Sequence, residues 1–271
     1  MKTFRSYIAD KVKKTPEGYI IVDEPIHYKM KPNYKKTKDG YVIVDEPIHY
    51  KNGKSKIQES AHKDEFKAAV EHNQKHHGSD EDLSVKLHKK QGAHISGTED
   101  EAHIHRYTDD ADDGTEHTGS RRLNRSLIRG TPPHHMDRED EKTHKAIMKH
   151  AGPSGHEYHV FSGTSRNFEE IAHHEKTNKF HFPAHTSATH SEKTAKQFAI
   201  GKKEPDRETY HIMHVHVKPH NKVLHTSGLS QYPHEHETII PAGTNMKYSH
   251  TSDHKDPTDG KHYKVHHFHI E

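Results

Sequence analysis

Near its C-terminus the chain reads Tyr232-Pro233-His234-Glu235-His236-Glu237-Thr238-Ile239-Ile240, and the Glu-x-Glu pair is the part of the sequence best suited to chemistry. Side chains of an extended strand alternate between faces, so the spacing predicts Glu235 and Glu237 on one side and His236 on the other. Two carboxylates held close repel and acquire split proton affinities, so that one can serve as a base while the other stabilises positive charge. A solvated edge strand would show the same spacing without any function.

Several elements are predicted around this pair. Met213, Val215 and Val217 alternate with His214 and His216, which predicts a strand over 210–217. Further strands are expected at 158–161, 238–240, 245–248 and 263–270. Leu123, Leu127 and Ile128 mark a helix within 121–129, and Ala146 and Ile147, stopped by Gly152-Pro153, mark another. Thr189-His190-Ser191-Glu192 reads as a capping box that opens a helix with Ala195, Phe198 and Ala199 on its buried face. Earlier in the chain, Phe66, Ala69 and Val70 predict a helix near 60–77 ended by Gly78, and Phe4, Tyr7, Ile8 and Val12 a short amphipathic one.

Residues 14–29 recur almost verbatim as 36–51, a tandem 22-residue repeat in which each copy reads as a turn leading to a short strand stopped by Pro25 or Pro47. The texture changes to that of a mixed α/β domain near residue 90. The sequence thus predicts an accessory or leader segment over 1–90 and a globular domain over 91–271.

Composition narrows the function. Only 28% of the 271 residues are hydrophobic and 30% are charged, so part of the chain is expected to lie outside any tight core. Lys+Arg 42 against Asp+Glu 40 gives a net charge of +2, which offers no global electrostatic case for binding nucleic acid or membranes. With no Cys, disulfides, thiolate metal sites and a Cys nucleophile are excluded. No apolar run approaches the ~20 residues of a membrane span, and no secretion signal is expected. The 35 His are scattered, so adventitious zinc or nickel binding is expected but no catalytic metal is assigned.

In order along the chain, four segments resemble the mono-ADP-ribosyltransferases of the Arg-Ser-Glu class, the exoenzyme-toxin type also found in tailed bacteriophages. LNRSLIRG (Leu123 to Gly130) is similar to the helix that ends in the family's Asn-x-x-Leu-Arg pattern. YHVFSGTS (Tyr158 to Ser165) resembles the first core strand, and FPAHTSATHSEKTAKQFA (Phe182 to Ala199) the Ser-Thr-Ser strand and the helix after it. YPHEHETIIPAGT resembles the turn and the catalytic Glu-x-Glu strand. The resemblance implies an α+β fold, a split β-sandwich with flanking helices, preceded by a partly ordered N-terminal segment.

It also implies NAD+ as substrate, with no metal required, and arginine as acceptor. Glu237 would stabilise the ribose oxocarbenium, while Glu235 would bind the acceptor guanidinium and take its proton. Tyr232 matches the substrate-recognition turn. Two departures stand out. Ser162-Gly163 occupies the place where many members carry an NAD-binding Arg, so the phosphate cation falls to Arg129 or Arg166. His185-Thr186-Ser187 replaces Ser-Thr-Ser, keeping the hydroxyls of Thr186 and Ser187 for the nicotinamide ribose or the catalytic Glu. Phe180 and Phe182 are candidates to flank the nicotinamide pocket or to join the core.

The implied partner is a protein with an exposed arginine, host transcription or translation machinery among the candidates, with no membrane partner and a nucleic acid acceptor left open. A phage-encoded protein of this type would reside in the virion and then in the host cytoplasm. Ile57-Gln58-Glu59 resembles the triplet at which phage head proteases remove leaders. The competing expectations are an inactive transferase-fold protein internal to a particle, and a His-rich metal-binding module.

Overall fold

The computed structural model describes four short strands between Val12 and Ile43, and residues 64–109, 119–201, 209–258 and 260–271. The chain divides into two compact units, Met1–Glu59 and Ser60–Glu271.

In the first unit, β1 (Val12–Thr15) pairs antiparallel with β2 (Gly18–Ile21), and β3 (Tyr34–Thr37) with β4 (Gly40–Ile43). Each repeat copy therefore contributes to a hairpin rather than to the single strand expected, and the copies join through β2 and β4 into one four-stranded sheet. Val12, expected in a helix, opens a strand. The remainder of that helix and the Ile57-Gln58-Glu59 triplet lie outside the described residues.

The second unit opens with α1 (Glu65–His77) and α2 (Asp80–Leu87), then a π-helical turn, α3 (Glu99–Thr108), α4 (Gly119–Ile128) and α5 (Arg138–His150). A nine-stranded sheet follows, in the order β5-β10-β11-β8-β6-β9-β13-β12-β7. Its strands are β5 (Gly152–Pro153), β6 (Tyr158–Thr164), β7 (Lys179–Phe182), β8 (Thr186–Thr189), β9 (Tyr210–Val217), β10 (Lys222–His225), β11 (Glu237–Ile240), β12 (Thr244–Lys255) and β13 (His262–Ile270). Helices α6 (Phe168–Glu175) and α7 (Glu192–Gly201) are inserted among them. All pairings are antiparallel except β9 with β13. One residue pair, Phe161 opposite Thr189, joins β8 to β6, so the sheet is split into two halves hinged at that point. This is the α+β split sandwich expected.

Both faces of the larger half are covered. Tyr158, Val160 and Val215 pack with Leu83 and Leu87 of α2 on one side, while Phe161 and Ile212 pack with Phe66 of α1 and Ala199 of α7 on the other. Phe66, Leu83 and Leu87 are each at most 1% exposed. Burying each contributes about 1.5–3 kcal/mol. Helices α1 and α2 therefore belong to the same core as the sheet, and the compact unit begins at Ser60 rather than near residue 90. Coverage of the second face also buries His214, where polar-out alternation was expected, and His267, while His266 is buried against Phe168 on the first face.

Candidate active site

A cleft of about 730 Å³ opens where the sheet splits, lined by β6, β8, the start of β11, the loop after β6 and one face of α4. It gathers Glu235, Glu237, Ser162, Gly163, Thr186, Ser187, Arg129 and Arg166. Tyr232 is not among the lining residues. It is half-buried at the start of the turn, its carbonyl accepting the Glu235 backbone N–H at 2.9 Å and its ring meeting His234 edge-on.

The two glutamates are not neighbours on one strand face. Pro233–Glu235 forms a 3-10 turn, His236 takes a left-handed conformation at φ 51°, and β11 starts only at Glu237. Proline suits the first position of such a turn, and the ladder has partners only from Glu237 onward, which stands opposite Thr189. Three distant segments hold the pair instead. Thr226 donates its hydroxyl to Glu237 Oε2 and its N–H to the Glu237 carbonyl, both at 3.0 Å. The Thr189 hydroxyl donates to the Glu235 carbonyl at 2.6 Å. His236 Nδ1 lies 2.8 Å from Ser84 Oγ of α2, which also lies 3.2 Å from His190 Nε2. Glu237 is 8% exposed.

Gly163 serves helix packing. A Cβ there would stand 2.2 Å from the Ala199 backbone nitrogen, so only glycine lets α7 lie this close to β6. On the other face of β6, the Ser162 hydroxyl donates to the Ser187 carbonyl at 2.8 Å, linking β6 to β8. Ser187 Oγ lies 3.5 Å from Tyr107 Oη. Asn124 ties α4 to this strand: its Oδ1 accepts the His185 N–H at 3.1 Å and its Nδ2 donates to Tyr107 Oη at 3.2 Å. Asn124 is the Asn of the Asn-x-x-Leu-Arg-like segment.

The opposite wall carries two residues that sequence reasoning missed, Arg121 and Arg125. Arg121, Arg125 and Arg129 follow one another at four-residue intervals and all line the cleft, with Arg166 contributed by the loop after β6. Helical periodicity places such a row on one face, and that spacing was present in SRRLNRSLIRG. The intervening Arg122 turns away and binds Asp140 of α5 with two bonds, from Nε at 2.7 Å and Nη2 at 3.0 Å. Asp140 is 1% exposed, so this planar pair fixes the rotation of α4 and aims the row at the cleft. Four arginines face two carboxylates, and the cleft is suited to an anionic ligand with a reacting centre near Glu237.

Aromatic side chains complete the lining. Phe182 lies in the cleft, whereas Phe180 packs against Phe168 and Phe268 in the core. Phe198, expected on the buried face of its helix, is 38% exposed and lines the cleft, because the helix starts at Glu192 and turns only Ala195 and Ala199 toward β6. The capping box differs too: Thr189 Oγ1 accepts the Ser191 N–H at 3.0 Å, and Ser191 precedes the first helical residue.

The fold that carries this cleft is shared with solved ADP-ribosyltransferases. The C3 exoenzyme of Clostridium limosum is similar over 71% of this chain and 95% of its own, at 12% identity and a TM-score of 0.53. The ADP-ribosyltransferase Vis, solved in complex with agmatine, is similar over 76% of this chain and 85% of its own, at 12% identity and a TM-score of 0.50. The chain therefore has the ADP-ribosyltransferase fold, and it resembles the Arg-Ser-Glu class of mono-ADP-ribosyltransferases. No protein-family model matches the chain, and no curated protein matches its sequence. Among the described residues, no helix is long and apolar enough to cross a membrane.

Proposed function

We propose that the chain is an NAD+-dependent mono-ADP-ribosyltransferase that moves ADP-ribose to arginine side chains of a target protein. The observation that carries this reading is the pairing of a buried glutamate, hydrogen-bonded by Thr226, with a row of arginines across one cleft. In the reaction the bond between ribose C1′ and the nicotinamide nitrogen breaks, and nicotinamide leaves with the bonding electrons. A bond from C1′ to the acceptor guanidinium nitrogen forms, and the proton of that nitrogen is taken up by a base.

Glu237, held by Thr226, is suited to the ribose 2′-hydroxyl and to the positive charge that develops at C1′. Glu235, on the turn before β11, is suited to receive the guanidinium and its proton, since arginine is a poor nucleophile until a base meets its N–H. Arg129, with Arg121 and Arg125 beside it and Arg166 opposite, supplies the cations for the pyrophosphate in place of a first-strand arginine. Ser162, Thr186 and Ser187 offer hydroxyls and carbonyls at the nicotinamide end, and Tyr232 marks the acceptor side of the turn. Agmatine, bound by Vis, carries the guanidinium group of arginine, which supports the choice of acceptor. The reading extends to residence in a phage particle and action on host machinery, on the resemblance to phage members.

The test is the release of nicotinamide from NAD+ by purified protein, together with transfer of labelled ADP-ribose to agmatine and to lysate proteins, mapped by mass spectrometry. Label on guanidinium groups is expected. Absence of both nicotinamide release and label would favour an inert transferase-fold protein.

A further inference from the structure

Among the described residues, three that are not glycine take a left-handed backbone: Asp64, Lys176 and His236. Asp64 and Lys176 cap the ends of α1 and α6, whereas His236 stands between the two glutamates of the cleft. A residue with a Cβ adopts this conformation at a cost, and it persists only where surrounding contacts fix it. At His236 the side chain supplies such a contact, its Nδ1 lying 2.8 Å from Ser84 Oγ of α2.

One carbonyl sets the direction of the bonds behind it. His190 Nε2 lies 2.9 Å from the Asp80 carbonyl oxygen, which can only accept, so that nitrogen carries the N–H. The same N–H reaches Ser84 Oγ at 3.2 Å, and the hydroxyl accepts there. The hydroxyl's own hydrogen goes to His236 Nδ1 at 2.8 Å in preference to Ser227 Oγ at 3.4 Å. His190, Ser84 and Ser227 are all buried, so this chain of bonds is shielded from water. His236 is thus gripped as an acceptor by a residue 152 positions away.

The grip bears unequally on the two glutamates. Glu237 is laddered opposite Thr189 and bonded by Thr226, contacts that do not pass through His236. Glu235 precedes the ladder. Thr189 fixes its carbonyl, and the dihedral angles of the next residue, His236, then decide how Glu235 sits relative to Glu237.

We propose that His236 and Ser84 are positioning residues that hold Glu235 at the acceptor, and so govern transfer to arginine separately from attack on NAD+ by water. The proposal rests on the roles given to the two glutamates above. Misplacing a reacting group by about 1 Å can cost about 10²-fold.

His236→Gly isolates the side chain, since glycine takes φ 51° without strain. His236→Asn restores the acceptor, because Asn Oδ1 is attached to Cγ as His Nδ1 is, and Asn tolerates the left-handed region. Ser84→Ala removes the donor at the other end. Transfer to agmatine and acceptor-free nicotinamide release are measured on the full chain, with melting temperatures alongside. His236→Gly and Ser84→Ala should each lower kcat/KM for agmatine by about 10–100-fold, with hydrolysis reduced no more than a few-fold and the KM for NAD+ held. His236→Asn should recover most of the transfer-to-hydrolysis ratio, and the double variant should be no worse than either single one. His236 is half-buried, so His236→Gly keeps the test open should Ser84→Ala fold poorly. A wild-type ratio in His236→Gly, or a parallel fall of transfer and hydrolysis, would overturn the proposal. A wild-type protein that neither releases nicotinamide nor transfers label would defeat the functional reading as well, whereas an active one with an unmoved ratio defeats this inference alone.

Discussion

His185 and His190 flank strand β8 at the cleft, and both are neutral because the fold leaves no room for a second proton. His185 Nδ1 accepts the Ala242 N–H at 3.0 Å, and its Nε2 stands 3.0 Å from His144 Nδ1. Burial, then the neighbouring His144, pushes its pKa down to about 3. Burial also takes His190 to about 3, opposed by the Asp80 carbonyl and assisted by His236. In the unfolded chain a histidine takes its proton near pH 6.5. The sign follows from the depressed folded values: the stability these neutral rings support is complete above pH 6.5 and is lost as pH falls toward 3. At pH 5.0 each costs about 2 kcal/mol, from ~1.5 pH units at ~1.36 kcal/mol each, and together about 4 kcal/mol. A domain at the low end of the usual range of about 5–15 kcal/mol is then close to unfolding. Urea melts followed by far-UV circular dichroism at pH 7.5 and 5.0, at constant ionic strength, should show at least this loss. His185→Asn keeps an acceptor for the Ala242 N–H but does not titrate in this range, so its loss between the two pH values should be smaller by about 2 kcal/mol, whatever its stability at pH 7.5. An unchanged pH slope in His185→Asn would refute the reasoning.

Glu237→Gln should abolish both transfer and NAD+ hydrolysis, by about 10²-fold or more, whereas Glu235→Gln should lose transfer to agmatine and keep much of the hydrolysis. Equal loss of the two activities in Glu235→Gln would contradict the division of labour. Arg129→Ala should weaken NAD+ binding by about 1.5–3 kcal/mol, with Arg125→Ala in the same direction and Lys a poor substitute at either position. Calorimetric titration showing wild-type affinity in both variants would leave Arg166 as the phosphate cation. Truncations separate the two units: a chain beginning at Ser60 should retain fold and activity, while one beginning at residue 91 removes Phe66, Leu83, Leu87 and the Ser84 contact to His236, and should fail to fold. A soluble, active product from the second truncation, or an insoluble one from the first, measured by circular dichroism and nicotinamide release, would reverse that assignment.

What the sequence disclosed and what it hid divide along the reach of the interactions. Met213, Val215 and Val217 announced β9 because period-two burial is a local signal, and Leu123 and Leu127 announced α4 for the same reason at period 3.6. The buried histidines were opaque, since His reads as polar until a second layer, here α1 over the far face of the sheet, makes it part of a core. The Glu-x-Glu segment failed as a strand for a related cause. Pro233 and the left-handed His236 bend the chain just before the ladder begins, and the contacts that tolerate that bend come from Ser84, Thr189 and Thr226, residues 152, 46 and 11 positions from their partners. No window around residue 235 contains the first two of these, so the identity of the pair was legible but its geometry was not. The arginine row is the converse case. Its spacing was local and readable, but its direction was set by Arg122 gripping Asp140 18 residues away, and only that grip turns a charged helix face into one wall of a site. The cleft is thus lined by residues whose types are written locally and whose aim is set by distant partners. Substitutions at Ser84, Thr226 or Asp140 therefore act on the cleft without touching a ligand.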